Sequence, residues 1–170
     1  MKNKNSFLIG TIMCLPFLGW AGNNIVKRIS FDRNCGGYLT RASNANTIPL
    51  AKEELGRAIQ YLESRNMTTG YTSVVYTTPN EDIRYWYRNL KASYDEIDVL
   101  SQKSELTSLE QSNTLLKLRD SLSDHQEGKE SLTCPPGIAM YPHNLGNMAF
   151  GIFACFFLAL ACLYVGPELR

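Results

Sequence analysis

The residues of this chain that could do chemistry are two cysteines and two histidines outside its apolar ends. Cys35 and Cys134 lie about a hundred residues apart, so they lack the close spacing of a CxxC redox or zinc site. His125 and His143 could complete a metal shell only with partners that the pattern does not supply. A nucleophilic pair of Cys134 and His143 is conceivable, but two prolines follow Cys134, and its expected disulfide argues against an activated thiolate. We therefore expect a non-enzymatic protein with no cofactor and no metal.

The same two cysteines predict a structural disulfide. Cys14, Cys155 and Cys162 lie within the apolar ends, so Cys35 and Cys134 are the only pair in the soluble middle. If that middle is exported, an oxidising compartment favours the bond. Closing a loop of about 100 residues stabilises a fold by up to ~4.7 kcal/mol in the chain-entropy model. The alternative is two free thiols in a cytoplasmic domain.

The carboxy-terminal apolar run predicts a transmembrane helix. No residue from 145 to 165 is charged, and at 1.5 Å per residue this run spans the ~30 Å hydrocarbon core of a bilayer. Residues 166–170 then form a short cytoplasmic tail. Gly151, Cys155 and Ala159 recur at every fourth position, a stripe of small residues that favours helix packing with other membrane proteins or self-association. Chance in an Ala-rich and Gly-rich helix is the alternative.

Residues 1–22 form a second apolar segment with two interpretations. A basic leader with Lys2 and Lys4, an apolar core and the small residues Gly19 and Ala21 are typical of a signal peptide cleaved after Ala21. The alternative is an uncleaved anchor that borrows residues 22–26 to reach spanning length. Both interpretations keep the amino terminus in the cytoplasm and export the middle of the chain.

Charge counting by the positive-inside rule opposes this orientation. Lys27, Arg28 and Arg33 follow the first apolar run, whereas Arg170 alone follows the second. The rule weakens for long loops, and more than a hundred residues separate the two runs. We therefore expect residues 23–144 to form a soluble extracytoplasmic domain, with membrane lipid as a partner.

The soluble middle has the patterns of a mainly α fold, a small antiparallel three-helix bundle. Apolar residues at three- and four-residue steps predict helices that begin near Thr47, Thr78 and Thr107. Thr78 with Glu81, and Thr107 with Glu110, have the spacing of capping boxes. The third helix is expected to end at Gly128, and residues 123–131 have the composition of a mobile linker. The composition of residues 69–78 favours an extended connection packed over the helices.

An aromatic and basic group lies on the second of these helices. Such residues usually fill the core of a small bundle, but Trp, Tyr and Arg also dominate the binding energy of protein interfaces. The sequence therefore predicts either core packing or an interaction patch formed by Arg84, Tyr85, Trp86, Tyr87 and Arg88.

Together these patterns predict a membrane-anchored interaction protein, a small subunit or adaptor of an envelope complex. The alternative is a ligand-binding, sensor-type ectodomain that signals through a partner. The 17 basic and 16 acidic side chains nearly balance, so no nucleic-acid partner is expected.

Overall fold

A computed structural model describes residues 2–103, 106–126 and 129–165 of the chain. The fold is mainly helical and begins with one long helical rod. Helix α1, Lys2–Phe31, continues through a π-helical turn, Asp32–Gly36, into helix α2, Gly37–Ser43. The last long helix, α6, is Asn144–Val165. The rod and α6 are both long and apolar enough to cross a membrane.

Helices α1 and α6 pack side by side in antiparallel directions. Trp20 of α1 meets Gly151 of α6, whereas Arg28, further along α1, lies beside Asn144 at the start of α6. Most of the more buried positions of each helix recur at alternating steps of three and four, the spacing of paired helices that interlock their side chains. These positions are Gly10, Met13, Phe17, Trp20, Asn24, Lys27 and Phe31 on α1, and Asn144, Asn147, Gly151, Ala154, Leu158 and Ala161 on α6.

The outer faces of this helix pair expose large apolar side chains. A water-soluble surface rarely carries so continuous an apolar area, whereas the hydrocarbon core of a bilayer requires one. The exposed residues include Leu8, Ile12, Leu15, Leu18, Ile25, Ile152, Phe153, Phe156 and Leu163.

The middle of the chain folds as antiparallel helices: α3, Ile48–Ser64; α4, Ile83–Ser101; and α5, Ser108–Leu122. Every apolar position predicted on the inner face of α3 is buried, from Ile48 to Leu62. On α4 the buried positions are Ile83, Trp86, Leu90 and Ile97, as the helical spacing predicts. The α5 face is confirmed in part, since Leu118 and Leu122 are buried and Leu109 is exposed.

Both predicted capping boxes are present. The Thr78 N–H donates to Glu81 Oε2 over 3.1 Å, and the Thr107 N–H donates to Glu110 Oε2 over 3.0 Å. The first box opens a short 3₁₀ turn, Pro79–Glu81, rather than α4 itself. Helix α4 then begins with a second cap, because the Asp82 carboxylate accepts hydrogen bonds from the N–H groups of Arg84 and Tyr85.

The prediction of a three-helix bundle is not confirmed in that form. Helix α2 packs against α3 and α5 as a further helical segment. It brings Leu39 into the buried core, and the π-helical turn before it brings Cys35. The periodicity that predicted three helices began at Thr47 and did not include this extension of α1.

Helix α5 ends at Leu122, earlier than expected. The stretch predicted as a mobile linker forms an antiparallel hairpin instead, with β1, Ser123–Gln126, paired to β2, Lys129–Leu132. Gly128, the expected end of the helix, lies outside the described residues. Beyond the hairpin, the Thr133 N–H donates to the Leu122 carbonyl over 2.8 Å, which returns the chain to the end of α5.

Candidate functional site

A groove of about 900 Å³ opens beside Trp86, between α4, the end of α5 and residues 132–136. The first two turns of α4 supply one wall, and Ser121 and Leu122 of α5 lie opposite. The proline pair after Cys134 forms part of the rim.

Trp86 is held rigidly at the inner edge of the groove. Its side chain is only 7% exposed, and its Nε1–H donates to the Thr133 carbonyl oxygen over 2.6 Å. Buried indole N–H groups generally need such a partner. The bond also ties the chain after β2 to α4, so one side chain serves both the core and the groove.

The lining of the groove is aromatic and mostly uncharged. Tyr85 is 66% exposed and Tyr71 is also exposed. Among the described lining residues the one charged side chain is Asp82, whose carboxylate already caps α4. Aromatic faces with neutral hydrogen-bonding groups suit an uncharged ligand that carries hydroxyls or amides. The neutral polar lining residues include Thr77, Asn80, Asn89, Ser93 and Ser121.

The predicted five-residue patch is divided by the helix that carries it. Successive residues of an α-helix point about 100° apart, so five in a row cannot share one face. Tyr85 and Trp86 line the groove, whereas Arg84 and Arg88 are exposed and do not line it. The Tyr87 hydroxyl donates to Glu63 Oε1 of α3 over 2.6 Å. Burial and this hydrogen bond raise the pKa of Tyr87 to about 12.

The structure brings Cys35 and Cys134 together beside the core and the groove. Cys35 is fully buried in the core, Cys134 packs against that core, and Cys134 also lines the groove. Burial raises the pKa of Cys35 to about 12, with a further contribution from the neighbouring Cys134. Burial also raises the pKa of Cys134. Both are free thiols in the structure, so the predicted disulfide stays a prediction, and the raised pKa values disfavour the thiolate form of either cysteine.

The small-residue stripe on α6 is divided between two faces. Gly151 is buried against Trp20, and a Cβ at Gly151 would lie 2.8 Å from Trp20 Cζ2. Cys155 and Ala159 are exposed on the outer face of the pair. The inner face of α6 instead continues from Gly151 to Ala154 and Ala161. Steps of three and four, rather than four alone, would have identified this face in the sequence.

The burial of one charged residue, Glu54, was not predicted from the sequence. The Glu54 side chain is 2% exposed, and its Oε1 lies 2.5 Å from Nη2 of Arg41, which is 61% exposed. The other oxygen, Oε2, has no hydrogen-bond partner in the described part of the chain. Glu54 belongs to α3, and Arg41 to α2, so the pair joins the extension of α1 to the bundle. Glu54 lies three residues after Ala51 and four before Ala58, so the helical period places it on the inner face of α3.

Within the described ranges, no group of three or more His, Cys, Asp or Glu side chains could hold a metal ion. Comparison with protein-family models, with curated proteins and with solved structures yields no match for this chain. The function of the protein is therefore inferred from its own geometry.

Proposed function

We propose that this chain is a non-enzymatic, membrane-anchored interaction protein, a small subunit or adaptor of an envelope complex. It presents a disulfide-tied helical bundle outside the cytoplasm, held by α1 and α6 as two membrane-spanning helices. The observation that carries the proposal is the antiparallel α1–α6 pair, with its interlocked inner faces and apolar outer faces.

The continuity of the first helix supports a rigid connection between the α1–α6 pair and the folded domain. No break separates α1 from α2, and Phe31 and Cys35 in the connecting turns are both buried in the domain core. A domain attached this way keeps one orientation relative to the bilayer, which suits a protein that positions a partner.

The contacts of Trp20 favour an uncleaved anchor over a signal peptide. The Trp20 Nε1–H donates to the Asn147 carbonyl over 3.0 Å. Cleavage after Ala21 would remove this side chain and the greater part of the surface on which α6 packs. Retention of α1 is therefore part of the proposal, with Lys2 and Lys4 on the cytoplasmic side.

Substituted-cysteine labelling tests the orientation. Val75 and Leu109 are exposed on the folded domain, so Val75→Cys and Leu109→Cys should react with a membrane-impermeant maleimide in intact cells. Lys4→Cys, the matched control at the cytoplasmic end, should react only after permeabilisation. The reverse pattern would place the domain in the cytoplasm and would end both the disulfide and the envelope role.

Crosslinking in native membranes tests the subunit role. Gentle extraction should recover the chain in a larger assembly with other membrane proteins or with copies of itself. Ala159→Leu, on the exposed face of α6, should weaken that assembly, while Ile152→Leu, also exposed, is a volume-conserving control. A strictly monomeric protein would contradict the proposal.

The groove beside Trp86 favours a second function, that of a ligand-binding ectodomain that signals through a partner. Its volume falls in the range of small-molecule sites, and its lining selects uncharged ligands. A screen of neutral polyhydroxyl and amide compounds by thermal stabilisation tests this function. Tyr85→Ala should abolish any stabilisation, and Arg84→Ala, outside the groove, should leave it intact.

A further inference from the structure

Two crevices flank the α1–α6 pair at the end nearest the folded domain. One has a volume of about 450 Å³ and is lined by Asn24, Arg28 and Asn147 among others. The second, of about 250 Å³, lies on the other side of the pair and is lined by Asn23, Lys27 and His143 among others. Trp20 and Asn147 border both crevices, so the two share one wall.

Each crevice carries a cation that has no ion-pair partner among the described residues. Arg28 and Lys27 form no ion pair with any carboxylate in the described part of the chain, in contrast to Arg41, Lys52, Arg57, Lys91 and Lys117. None of the described residues that line the crevices is Asp or Glu. The electrostatic potential of both crevices therefore favours an anion.

The position of the crevices matches the edge of a bilayer. The span from Asn144 to Leu163 is 20 residues long, which at 1.5 Å per residue is ~30 Å, the thickness of the hydrocarbon core. Antiparallel pairing sets the stretch from Leu8 to Lys27 opposite this span. Lys27 and Arg28 thus lie at the end of that span, and Trp20 lies seven residues, or about two helical turns, deeper.

The neutral groups nearby can complete a site for an oxyanion. The Asn24 side chain uses one N–H to hold the Trp20 carbonyl, at 2.9 Å, and retains a second N–H. Asn23 and Asn147 place further amides at the same level. A guanidinium or ammonium group with amide donors is the combination that recognises phosphate.

We infer that the two crevices bind the phosphate groups of anionic phospholipids, one against Arg28 and one against Lys27. The acyl chains would lie along the apolar outer faces of α1 and α6. This inference rests on the proposal that both helices span the bilayer. The same phosphate chemistry occurs in free inorganic phosphate, so the test must separate the two sources.

Tryptophan fluorescence provides the test because the chain has two tryptophans, and only Trp20 borders the crevices. The full chain is reconstituted in phosphatidylcholine vesicles that contain either brominated phosphatidylglycerol or brominated phosphatidylcholine at equal mole fraction. Bromine quenches on contact, and the buried Trp86 of the folded domain contributes a constant background. We expect the brominated anionic lipid to quench Trp20 several-fold more strongly.

Charge variants identify the crevices. Each basic residue near a membrane surface strengthens the attraction to anionic lipid about fivefold. In the double variant Lys27→Gln with Arg28→Gln, brominated phosphatidylglycerol and brominated phosphatidylcholine should therefore quench Trp20 equally. Arg84→Gln with Arg88→Gln removes two exposed cations from α4 and should leave the preference unchanged. Equal quenching in the unmodified chain, or a preference that survives the first pair of substitutions, would overturn the inference.

Two further measurements distinguish a lipid site from a free-phosphate site and test membrane insertion by itself. Inorganic phosphate should not displace the lipid relative to sodium chloride of the same ionic strength; displacement would assign the crevices to free phosphate and overturn the lipid source. Alkaline carbonate extraction of the vesicles reports on spanning independently. A chain that is extracted would overturn the proposed membrane anchoring, whereas an inserted chain without lipid preference would overturn only the headgroup site.

Discussion

The indole of Trp20 lies directly against Gly151, so closely that a Cβ at position 151 would lie 2.8 Å from Cζ2 and 2.9 Å from Cε2. The same indole donates its N–H to the Asn147 carbonyl one turn away. Glycine at 151 therefore permits the close approach of α1 and α6, and Trp20 fixes their register.

Gly151→Ala tests this contact. The added methyl forces the indole to move, and overpacking of this kind costs about 1–3 kcal/mol, against a helix-propensity gain of up to about 1 kcal/mol for alanine. We expect a net loss of stability of the α1–α6 pair, measured by denaturant unfolding in detergent micelles. Gly146→Ala is the matched control in the same helix, because nothing lies within 4 Å of its Cβ position.

A Trp20→Ala substitution in the Gly151→Ala background should remove the clash. The two substitutions should therefore be non-additive. If Gly151→Ala proves as harmless as Gly146→Ala, the two helices do not pack at this position.

The ion pair between Arg41 and Glu54 provides a second prediction. Removing the partner of a buried carboxylate is costly, but Arg41 is largely exposed and water screens part of the interaction. We expect Arg41→Met to lower the free energy of unfolding by about 1–3 kcal/mol. Glu54→Gln in that background should recover part of the loss, since it removes the unpaired charge.

The exposed pair of Arg57 and Glu53 is the control for that measurement. The Arg57 Nη2 and Glu53 Oε1 atoms are 2.6 Å apart, but both side chains are about half exposed. Such exposed pairs contribute ~0–1 kcal/mol to the free energy of unfolding. Arg57→Met should therefore cost far less than Arg41→Met. Equal costs would show that burial of Glu54 does not govern the energy of its ion pair.

The sequence predicts local features of this fold better than their assembly. Capping at Thr78 and Thr107 depends on side chains three residues apart, and the inner face of α3 follows from helical period alone. The helical course of residues 37–43, the hairpin after Leu122 and the burial of Glu54 depend on what each segment packs against. Composition indicated a mobile linker over residues 123–131, where strand pairing produces a hairpin instead.

The candidate site shows the same division. Periodicity placed Trp86 or Tyr87 on the inner face of α4, and the structure buries Trp86 there. The cysteine count paired Cys35 with Cys134, and the fold packs both against the same core. The groove itself could not be predicted, because residues 132–136 and α5 that close it are distant from α4 in sequence. The role of Trp20 was hidden within a segment whose composition resembles a signal peptide.

The proximity of Cys35 to Cys134 provides a third prediction. In the exported protein the pair should be oxidised, and Cys35→Ser and Cys134→Ser should each lower the melting temperature. The double variant should be no less stable than the less stable of the two single variants, because each single substitution already removes the same shared bond. Additive losses would contradict the disulfide, and the mass of the intact, non-reduced chain provides a direct check.

Under reducing conditions the same cysteines make stability depend on pH. Burial raises the pKa of Cys35 from 9.0 to about 12, so above pH 9 the unfolded thiol loses its proton while the folded one keeps it. The unfolded state then binds fewer protons, and stability falls as pH rises from about 9 to 12. Cys35→Ser should flatten this slope in denaturant titrations. Tyr87 also titrates in the upper part of this pH range. It is present in both the Cys35→Ser variant and the unmodified chain, so it does not affect the difference between them.

Trp86 and Tyr85 are adjacent in sequence, yet their substitutions should have opposite consequences. Trp86→Ala removes a buried indole and its hydrogen bond to Thr133, a loss of ~3–5 kcal/mol that is enough to unfold a small domain. Tyr85→Ala removes an exposed ring and should change stability by less than about 0.5 kcal/mol. Circular dichroism melts measure both effects. A folded Trp86→Ala variant that has lost partner or ligand binding would instead make Trp86 an interface residue, and Trp86→Phe, which keeps an aromatic ring without the N–H, would then report how much of that binding depends on the bond to Thr133.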